Sequence, residues 1–417
     1  MRVLKIHIKK SHPDYREATR QMEISKQFYN RLNFLARQTY FHHCEKSYTL
    51  TGNKTLDDWI ISDNYNGNMA GFEPLRKSLT RNTRINSKVA QGISRNLANN
   101  WQSYFSLKKA GFTAKIPKYK REKYNLVPYN IQAVSKRALN EGIIKPAGFK
   151  KGLILPKWCD SSSVQACSLV CKNGKIWLYV AYNEIACEKV KPSNVLAAID
   201  FGVDALVAMA YSDQSSPIVV TDKRIKTWNQ EWNKAVAAKQ RKNSNYWSKS
   251  LDAITSKRNL RIEQIINRIS NIIVQNLIKH NAGKLILGKN KGWKQGINIG
   301  KKNNQNFVQI PFAKLANTIA YKAKNVGIST VFQEESYTSK ASFISQDPIP
   351  VYDENDTKTY VFSGRRRRRG EYVDGNTLIH ADINAAFNIM RKNQQNGAIN
   401  IWRGKSNIQP LGVSLYA

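Results

Sequence analysis

Hydrophobic and polar positions alternate in two different ways along the chain, and each pattern predicts a type of element. Residues 1–10 alternate apolar and charged side chains, which is typical of a half-buried strand. Apolar residues then recur at helical spacing over 24–35 and again over 89–105, which predicts two helices. Strand patterns return from about residue 115 and end in a hairpin across Asn173-Gly174, a dipeptide that favours a tight turn.

The second half of the chain follows a different order. Three consecutive apolar segments predict an antiparallel meander, and the elements after it alternate between helix and strand. The predicted elements are strands 196–201, 205–211 and 218–221, helix 262–277, strand 284–287, helix 311–325, strand 328–333 and a helix from Asp382. The resulting order, βββ-α-β-α-β, is the one that an RNase H-like core requires.

These patterns predict an α/β fold class, with a mixed α+β chain overall. A helical lobe over 11–109 is expected to be inserted into, or packed on, a β unit formed by 1–10 and 110–190. A boundary is expected within 189–194, which contains Pro192, and the α/β domain would then cover 191–417.

The charge of the chain narrows the class of partner. It has 67 Lys and Arg against 29 Asp and Glu, a net charge of +38. A guide–target heteroduplex of about 20 bp carries roughly 40 phosphates, the same scale of charge. Nucleic acid is therefore the expected partner, and an enzyme for acidic small molecules is disfavoured. Cations alternate with tyrosine around Lys118, Tyr119, Lys120 and Arg121, which indicates either base stacking with phosphate contact or an ordinary basic loop.

Membrane insertion and zinc binding are not expected. No apolar stretch approaches the roughly 20 residues of a membrane span, and the few cysteines favour a reduced, cytoplasmic and nucleoid-associated protein. Cys167 and Cys171 fall on one predicted strand, about 13 Å apart, which is too far for one tetrahedral zinc ion.

Acidic residues at the ends of three elements could hold a metal. Asp200 ends a buried strand, Glu334 and Glu335 follow another, and Asp382 begins the last helix. Taken singly, each could be structural: Glu334 and Glu335 as ordinary loop acids, Asp382 as a helix-start carboxylate, and Asp200 as a polar end of a strand, whereas Asp204 is typical of a turn. Metal-dependent phosphodiester cleavage needs acids from separate elements to converge on two divalent ions.

Five separated blocks, in order, resemble TnpB, the OrfB-type RNA-guided nuclease of insertion sequences, whose RuvC domain is similar to that of type V CRISPR effectors. The blocks are Leu287–Gln295, Phe307–Phe312, Tyr321–Ala323, Glu335–Ser339 and Ala381–Asn384. The resemblance covers about 195–395. It implies a RuvC nuclease domain over 191–417, and in the N-terminal half a β-barrel-like wedge domain with an inserted recognition lobe.

The resemblance implies an endonuclease that uses a guide RNA to pair with double-stranded DNA next to a short adjacent motif. A single RuvC site would cut both strands with two Mg²⁺ ions, or Mn²⁺ as an alternative. Asp200 and Asp382 match the first and last catalytic aspartates of the family.

The middle acid departs from the usual family pattern, which places Glu where this chain has Gly288. One branch of the family resembles this chain in having Gly there and Glu in the Glu335–Ser339 block. The resemblance therefore implies that Glu335 is the middle metal-binding acid. Glu334 is the second choice, because strand alternation points it the other way. Loss of activity through Gly288 is the competing interpretation.

A second departure lies between Ser339 and Gly370, where many family members carry a zinc knuckle and this chain has no cysteine. A zinc-free target-binding loop over about 339–372 is expected instead, with a solvated basic loop as the alternative. Its expected nucleic-acid contacts are Tyr337, Lys340, Arg365, Arg366, Arg367, Arg368 and Arg369. A further set, expected to line the nucleic-acid channel, is Lys289, Asn290, Trp293 and Lys294.

The sequence leaves three classes of function to compare. The first is a guided nuclease, in a transposon or a CRISPR setting. The second is a nuclease-inactive relative that binds DNA through a guide and acts as a repressor; the three acids favour the nuclease over it, because such inactive relatives lose them. The third is a general basic RNA-binding protein, which would leave the ordered RuvC blocks unexplained.

Overall fold

A computed structural model describes most of the chain and divides it into two compact units, Met1–Ile185 and Ala186–Ala417. The residues described are 2–44, 47–61, 76–77, 79–80, 85–183, 193–213, 215–242, 248–289, 309–353, 358–368, 370–397 and 407–414.

The first unit combines a four-stranded antiparallel sheet with long helices. Its sheet has the order β1-β6-β5-β2, and the predicted hairpin across Asn173-Gly174 is confirmed as β5 and β6. The elements are β1 (Arg2–Ile8), α1 (Tyr15–Cys44), α2 (Lys54–Ile61), α3 (Ser87–Lys109), β2 (Val127–Asn130), α4 (Lys136–Asn140), β3 (Ile143–Ile144), β4 (Leu153–Ile154), β5 (Val164–Lys172) and β6 (Lys175–Tyr182).

One continuous core holds this unit together. Apolar residues at helical spacing on α1 and α3, among them Leu32 and Leu97, are fully buried and share a cluster with inward-facing residues of the sheet such as Leu178. Both amphipathic helices therefore form because one face of each is removed from water.

The second unit is built on a six-stranded mixed sheet of order β11-β10-β7-β8-β9-β16. The predicted meander is confirmed, since β7, β8 and β9 pair antiparallel, whereas β10 runs parallel to both β7 and β11. The strands are β7 (Val195–Asp200), β8 (Ala205–Tyr211), β9 (Ile218–Thr221), β10 (Ala282–Gly288), β11 (Ser329–Gln333) and β16 (Leu411–Ser414).

Helices cover the two faces of this sheet. The helices of the unit are α5 (Arg224–Lys242), α6 (Lys249–Lys279), α7 (Phe312–Asn325) and α8 (Ala381–Asn393). Ile269 of α6 and Phe312 of α7 are buried with β7 residue Ile199 on one face. Phe387 of α8 is buried with its neighbour Ala198 on the other. The predicted helix over 262–277 is confirmed as part of α6, whereas the polar segment before it, which contains Trp228 and Trp232, forms a helix that the pattern did not predict, α5.

The expected loop over 339–372 also needs correction. Arg365–Arg368 forms an exposed strand, β12, paired with β13 (Glu371–Asp374), which continues through β14 (Thr377–His380) to β15 (Asn407–Ile408). Repulsion among these four arginines is weak because all four side chains are exposed to water. Glu371 also forms ion pairs with Arg367 and Arg368.

The helices in the described part of the chain were compared with the length and apolarity that a membrane span requires. None of them meets both conditions.

Candidate active site

Strand alternation places the acidic residues on one face of the second unit's sheet. Ala198 faces α8, so Asp200, two residues further on, faces the same side. Gly288 of β10 pairs with Gln333 of β11, and the Gln333 side chain accepts a hydrogen bond of 3.0 Å from Asn393 of α8. Asp382 is in the first turn of that helix. The parallel strands β10 and β11 therefore end beside α8, the helix that carries Asp382.

Asp200, Glu335 and Asp382 line one cavity of about 840 Å³. Its remaining wall combines small and aromatic residues with cationic side chains and a fourth carboxylate, Asp204. Tyr337, Lys340, Arg366 and His380 are part of this wall. This volume lies within the range of about 300–1,000 Å³ that is typical of ligand sites.

The two neighbouring glutamates face different surroundings. Glu335 lines the cavity, whereas Glu334 forms an ion pair with the nearly buried Lys392 and accepts the backbone N–H of Ser336 at 2.6 Å. These contacts lower the pKa of Glu334, against the effect of its partial burial. The geometry therefore favours Glu335 over Glu334 as the third acid.

Crowding of like charges changes the acidity of this group. Burial, and then the charge of Asp382, raises the pKa of Asp200 to about 7. Burial, followed by the charges of Asp200 and Glu334, raises the pKa of Glu335 to about 8. Removing a carboxylate from water and placing another beside it both penalise ionisation, and such shifts are enriched at functional sites.

A guanidinium neutralises part of this charge. Arg366 Nη2 lies 3.3 Å from Asp382 Oδ1, and its charge opposes the rise in the pKa of Asp200. His380 precedes α8, and its Nδ1 accepts the backbone N–H of Asp382 at 3.3 Å. In the part of the chain that the structure describes, no three His, Cys, Asp or Glu residues lie close enough to form a ready metal-binding cluster.

The donor set nevertheless fits a hard divalent cation such as Mg²⁺. It consists of carboxylate oxygens only, and the raised pKa values of Asp200 and Glu335 mark a concentration of negative charge that a cation would relieve. Gly288 leaves space for the Glu335 side chain, because a Cβ there would lie 2.4 Å from Glu335 Oε2 and 3.2 Å from the carbonyl oxygen of Ile199. The absence of a side chain at Gly288 therefore lets the Glu335 carboxylate lie beside the ends of β10 and β7.

Two buried asparagines of α8 fix the backbone that follows Glu335. Asn384 Nδ2 donates to the carbonyl of Ala341 at 2.9 Å, and Asn388 Nδ2 donates to the carbonyl of Thr338 at 3.0 Å. Both asparagines are fully buried, where an unsatisfied amide would be costly. The helix that carries Asp382 therefore also determines where the segment carrying Glu335 lies.

The predicted nucleic-acid contacts of this unit are only partly described. Lys289 is exposed, and its Nζ lies 5.1 Å from the centroid of the Phe332 ring. Tyr337, Lys340 and Arg366 line the cavity, whereas Arg365, Arg367 and Arg368 are exposed on β12. Asn290, Trp293, Lys294 and Arg369 lie outside the described residues.

The basic segment of the first unit lies against α1. Side chains of that helix bind its backbone: Asn30 exchanges hydrogen bonds with Lys120, and Asn33 donates to the carbonyl of Pro117. The Arg37 guanidinium lies 5.0 Å from the centroid of the Tyr119 ring, and Tyr119 as a residue is 40% exposed. Lys118, Tyr119, Lys120 and Arg121 also line a cavity of about 530 Å³.

Sequence reasoning did not find three residues of the site. His380 directly precedes the block around Asp382, which was the available signal. Asn384 and Asn388 recur at helical spacing on α8, and buried asparagines at i and i+4 could have indicated a fixed loop. The contact of Arg366 with an acid, rather than with phosphate, had no signal in the sequence.

Comparison with known family models is consistent with the sequence motifs. Residues 169–294 match the OrfB_IS605 family model, described as a probable transposase. Residues 312–389 match the TNB domain model of Cas12f1-like proteins. The resemblance to the OrfB-type proteins, TnpB among them, is therefore confirmed over residues 169–294, and the similarity to type V effectors over residues 312–389. No curated protein sequence matches the chain.

Two solved structures similar to the chain are described as a Cas12f1–sgRNA–target DNA complex and a CRISPR–Cas12f ternary complex, both by cryo-EM. The first is 15% identical, with a TM-score of 0.49, and the alignment covers 89% of this chain and 81% of the other. The second is also 15% identical, with a TM-score of 0.33 and coverage of 90% and 81%.

Proposed function

We propose that this protein is an RNA-guided DNA endonuclease and that its second unit is an RNase H-like RuvC nuclease domain. The observation that carries the proposal is the convergence of Asp200, Glu335 and Asp382 on one cavity, with raised pKa values at the first two. The family models support a transposon- or Cas12f1-like nuclease. The first unit would then correspond to a wedge domain with a helical recognition lobe.

The partners in this proposal are a guide RNA and double-stranded target DNA, the kinds of nucleic acid named for the Cas12f1 complex. The net charge of +38 supports partners rich in phosphate. Target choice would come from base pairing with the guide, so no side chain of this protein needs to encode it.

In this proposal Asp200, Glu335 and Asp382 would hold two Mg²⁺ ions, which activate the attacking water and stabilise the leaving oxygen. Arg366 would exchange its contact with Asp382 for the scissile phosphate, because guanidinium groups bind carboxylate and phosphate alike. Exposed Lys340 would hold a neighbouring phosphate at the cavity rim. Asn384 and Asn388 would keep Glu335 fixed relative to Asp382.

The test is to purify the protein with its bound RNA, sequence that RNA and offer DNA that matches it. Cleavage is expected for the wild type and should fall at least about a thousand-fold in D200A and D382A, while guided binding persists. D353N, at an exposed loop position, is the matched control and should cleave normally. Guided binding without cleavage in the wild type would instead establish a nuclease-inactive DNA-binding protein.

A further inference from the structure

Tyr337 adopts a backbone conformation that a bulky residue rarely tolerates. Its φ is +66°, in the left-handed region that glycine and asparagine occupy most readily. Such strain costs on the order of 1 kcal/mol or more, and it persists where the surrounding structure imposes it. The position therefore requires an explanation of why a tyrosine, rather than glycine, stands there.

Hydrogen bonds of the surrounding turn hold this conformation. The carbonyl of Tyr337 accepts the N–H groups of Lys340 and Ala341 at 2.9 and 3.0 Å. Thr338, the next residue, donates its hydroxyl to the carbonyl of Glu335 at 2.7 Å. Its own carbonyl is held by buried Asn388, as described above. The turn is thus tied at one end to a proposed metal ligand and at the other to α8.

The tyrosine ring is placed in an aromatic group at the cavity wall. Its centroid lies 5.3 Å from that of Tyr360, edge to face, and 6.4 Å from that of Phe362. Lys340 Nζ lies 6.0 Å from the same ring. Tyr337 and Lys340 both line the cavity that contains the three acids. An aromatic face and a cation therefore stand together beside the carboxylates.

We propose that Tyr337, supported by Tyr360 and Phe362, is a stacking platform for one unpaired nucleobase next to the scissile phosphate. This inference rests on the proposed nuclease function and extends it to the form of the substrate, a single strand. A base within a duplex has both faces covered, whereas an unpaired base can stack on the ring, with its phosphate near Lys340. Because every base has a π face, the platform would accept any base.

The platform also explains the strain. Because the turn is anchored to α8, which carries Asp382, the ring is held at a fixed position relative to the acids. A base stacked there would present the adjacent phosphodiester to the cavity in one orientation. Orientation of this kind is a main source of rate enhancement in phosphoryl chemistry.

The experiment uses the protein–RNA complex in a D200N background, so that DNA stays uncut. Single-stranded oligodeoxynucleotides carry 2-aminopurine, whose fluorescence is quenched by stacking, at one position after another. Tyr337 is compared with Y337F, which keeps the ring, and with Y337N, since asparagine accepts a positive φ and preserves the turn. Y352N removes an exposed tyrosine elsewhere in the same unit and is the matched control.

Quenching at one position is expected with Tyr337, with Y337F and in the Y352N control, and it should be lost in Y337N. Affinity should fall about five- to a hundred-fold in Y337N, the range of one base–aromatic stack. An abasic site at that position should weaken binding to Tyr337 similarly, without weakening Y337N further. The unfolding temperature of Y337N should be equal to or higher than that of the parent.

Three results would overturn the platform: no quenched position, quenching that survives in Y337N, or a Y337F protein that behaves like Y337N. Failure of the nuclease proposal would look different. If the protein without D200N cuts no DNA but quenching still follows the ring at 337, the platform stands and the nuclease proposal fails. If that protein cuts DNA but quenching does not depend on the side chain at position 337, the nuclease proposal stands and only the platform fails.

Discussion

The basic segment of the first unit and the acidic cavity of the second handle like charges in opposite ways. Along the segment, α1 side chains such as Asn30 and Asn33 bind the backbone, and the cationic groups stay near water. In the cavity, burial raises the pKa of both Asp200 and Glu335; the charge of Asp382 adds to the rise at Asp200, and the charge of Asp200 adds to the rise at Glu335. Exposed charges act additively and weakly, whereas desolvated like charges are strongly coupled. Single substitutions in the basic segment should therefore weaken nucleic-acid binding by small steps, whereas single substitutions of the cavity acids should remove most of the cleavage activity.

The largest contrast is expected between two adjacent glutamates. E335Q should reduce cleavage by about a hundred-fold or more, because an amide is a poor ligand for a hard cation. E334Q should retain most activity and lose about 1–3 kcal/mol of stability, since Lys392 would be left nearly buried without its carboxylate. Cleavage rates and urea unfolding measure the two effects. Full activity in both variants would reject the assignment of the third acid.

The coupled carboxyls should make stability depend on pH. Their ordinary pKa values are 3.8 and 4.5, and the fold raises them to about 7 and about 8. Between these values the folded protein binds more protons than the unfolded chain, so its stability falls as pH rises. At about 1.4 kcal/mol per pKa unit, the two shifts together correspond to a decline of several kcal/mol by about pH 8 in the absence of divalent ions.

Mg²⁺ should remove this decline by binding the ionised carboxylates. Thermal unfolding across pH, with and without MgCl₂, measures it, and the D200N/E335Q double variant is the control that should lack both the decline and the metal response. A stability that rises over the same interval in the metal-free wild type would contradict the coupled cavity.

Adding a methyl group at Gly288 tests how tightly the Glu335 carboxylate is confined. In G288A the new Cβ would stand 2.4 Å from Glu335 Oε2 and 2.8 Å from Ile389 Cδ1. Displacement of the glutamate should lower cleavage about 10- to 100-fold, since small misplacements of a catalytic group are costly. A matched substitution, G412A, adds a Cβ where nothing lies within 4 Å and should leave cleavage unchanged. Equal rates for G288A and the wild type would show that Glu335 is not confined as described.

The smallest effects are expected from the basic segment. K118Q or R121Q should each weaken nucleic-acid binding about 2- to 10-fold and reduce the slope of log affinity against log salt by about one. Electrophoretic mobility shifts at several salt concentrations measure both quantities. K136Q, a cation of the same unit outside this segment, serves as the control. An unchanged salt slope in the segment variants would leave the segment with a structural role only.

Hydropathy patterns predicted most of the elements because burial repeats with the period of the element. The hairpin across Asn173-Gly174, the meander and the helix that begins near Asp382 all follow from such patterns. The same reasoning missed the α5 helix, in which tryptophans are interspersed with charges and no clean apolar stripe forms. It also missed the β12 strand, since four arginines have no strand pattern and are held there by pairing with β13.

The sequence by itself determined which acids are available and which strand ends they follow, because alternation fixes the face on which a residue emerges. Only the tertiary structure decided that Glu334 turns to Lys392, that Arg366 contacts Asp382, and that Tyr337 takes a left-handed conformation. The two contacts join residues that are far apart in the chain: Arg366 and Asp382 are separated by 16 residues, and Glu334 and Lys392 by 58. A local pattern specifies the direction of a side chain, whereas its charge state and partners depend on what the fold brings beside it.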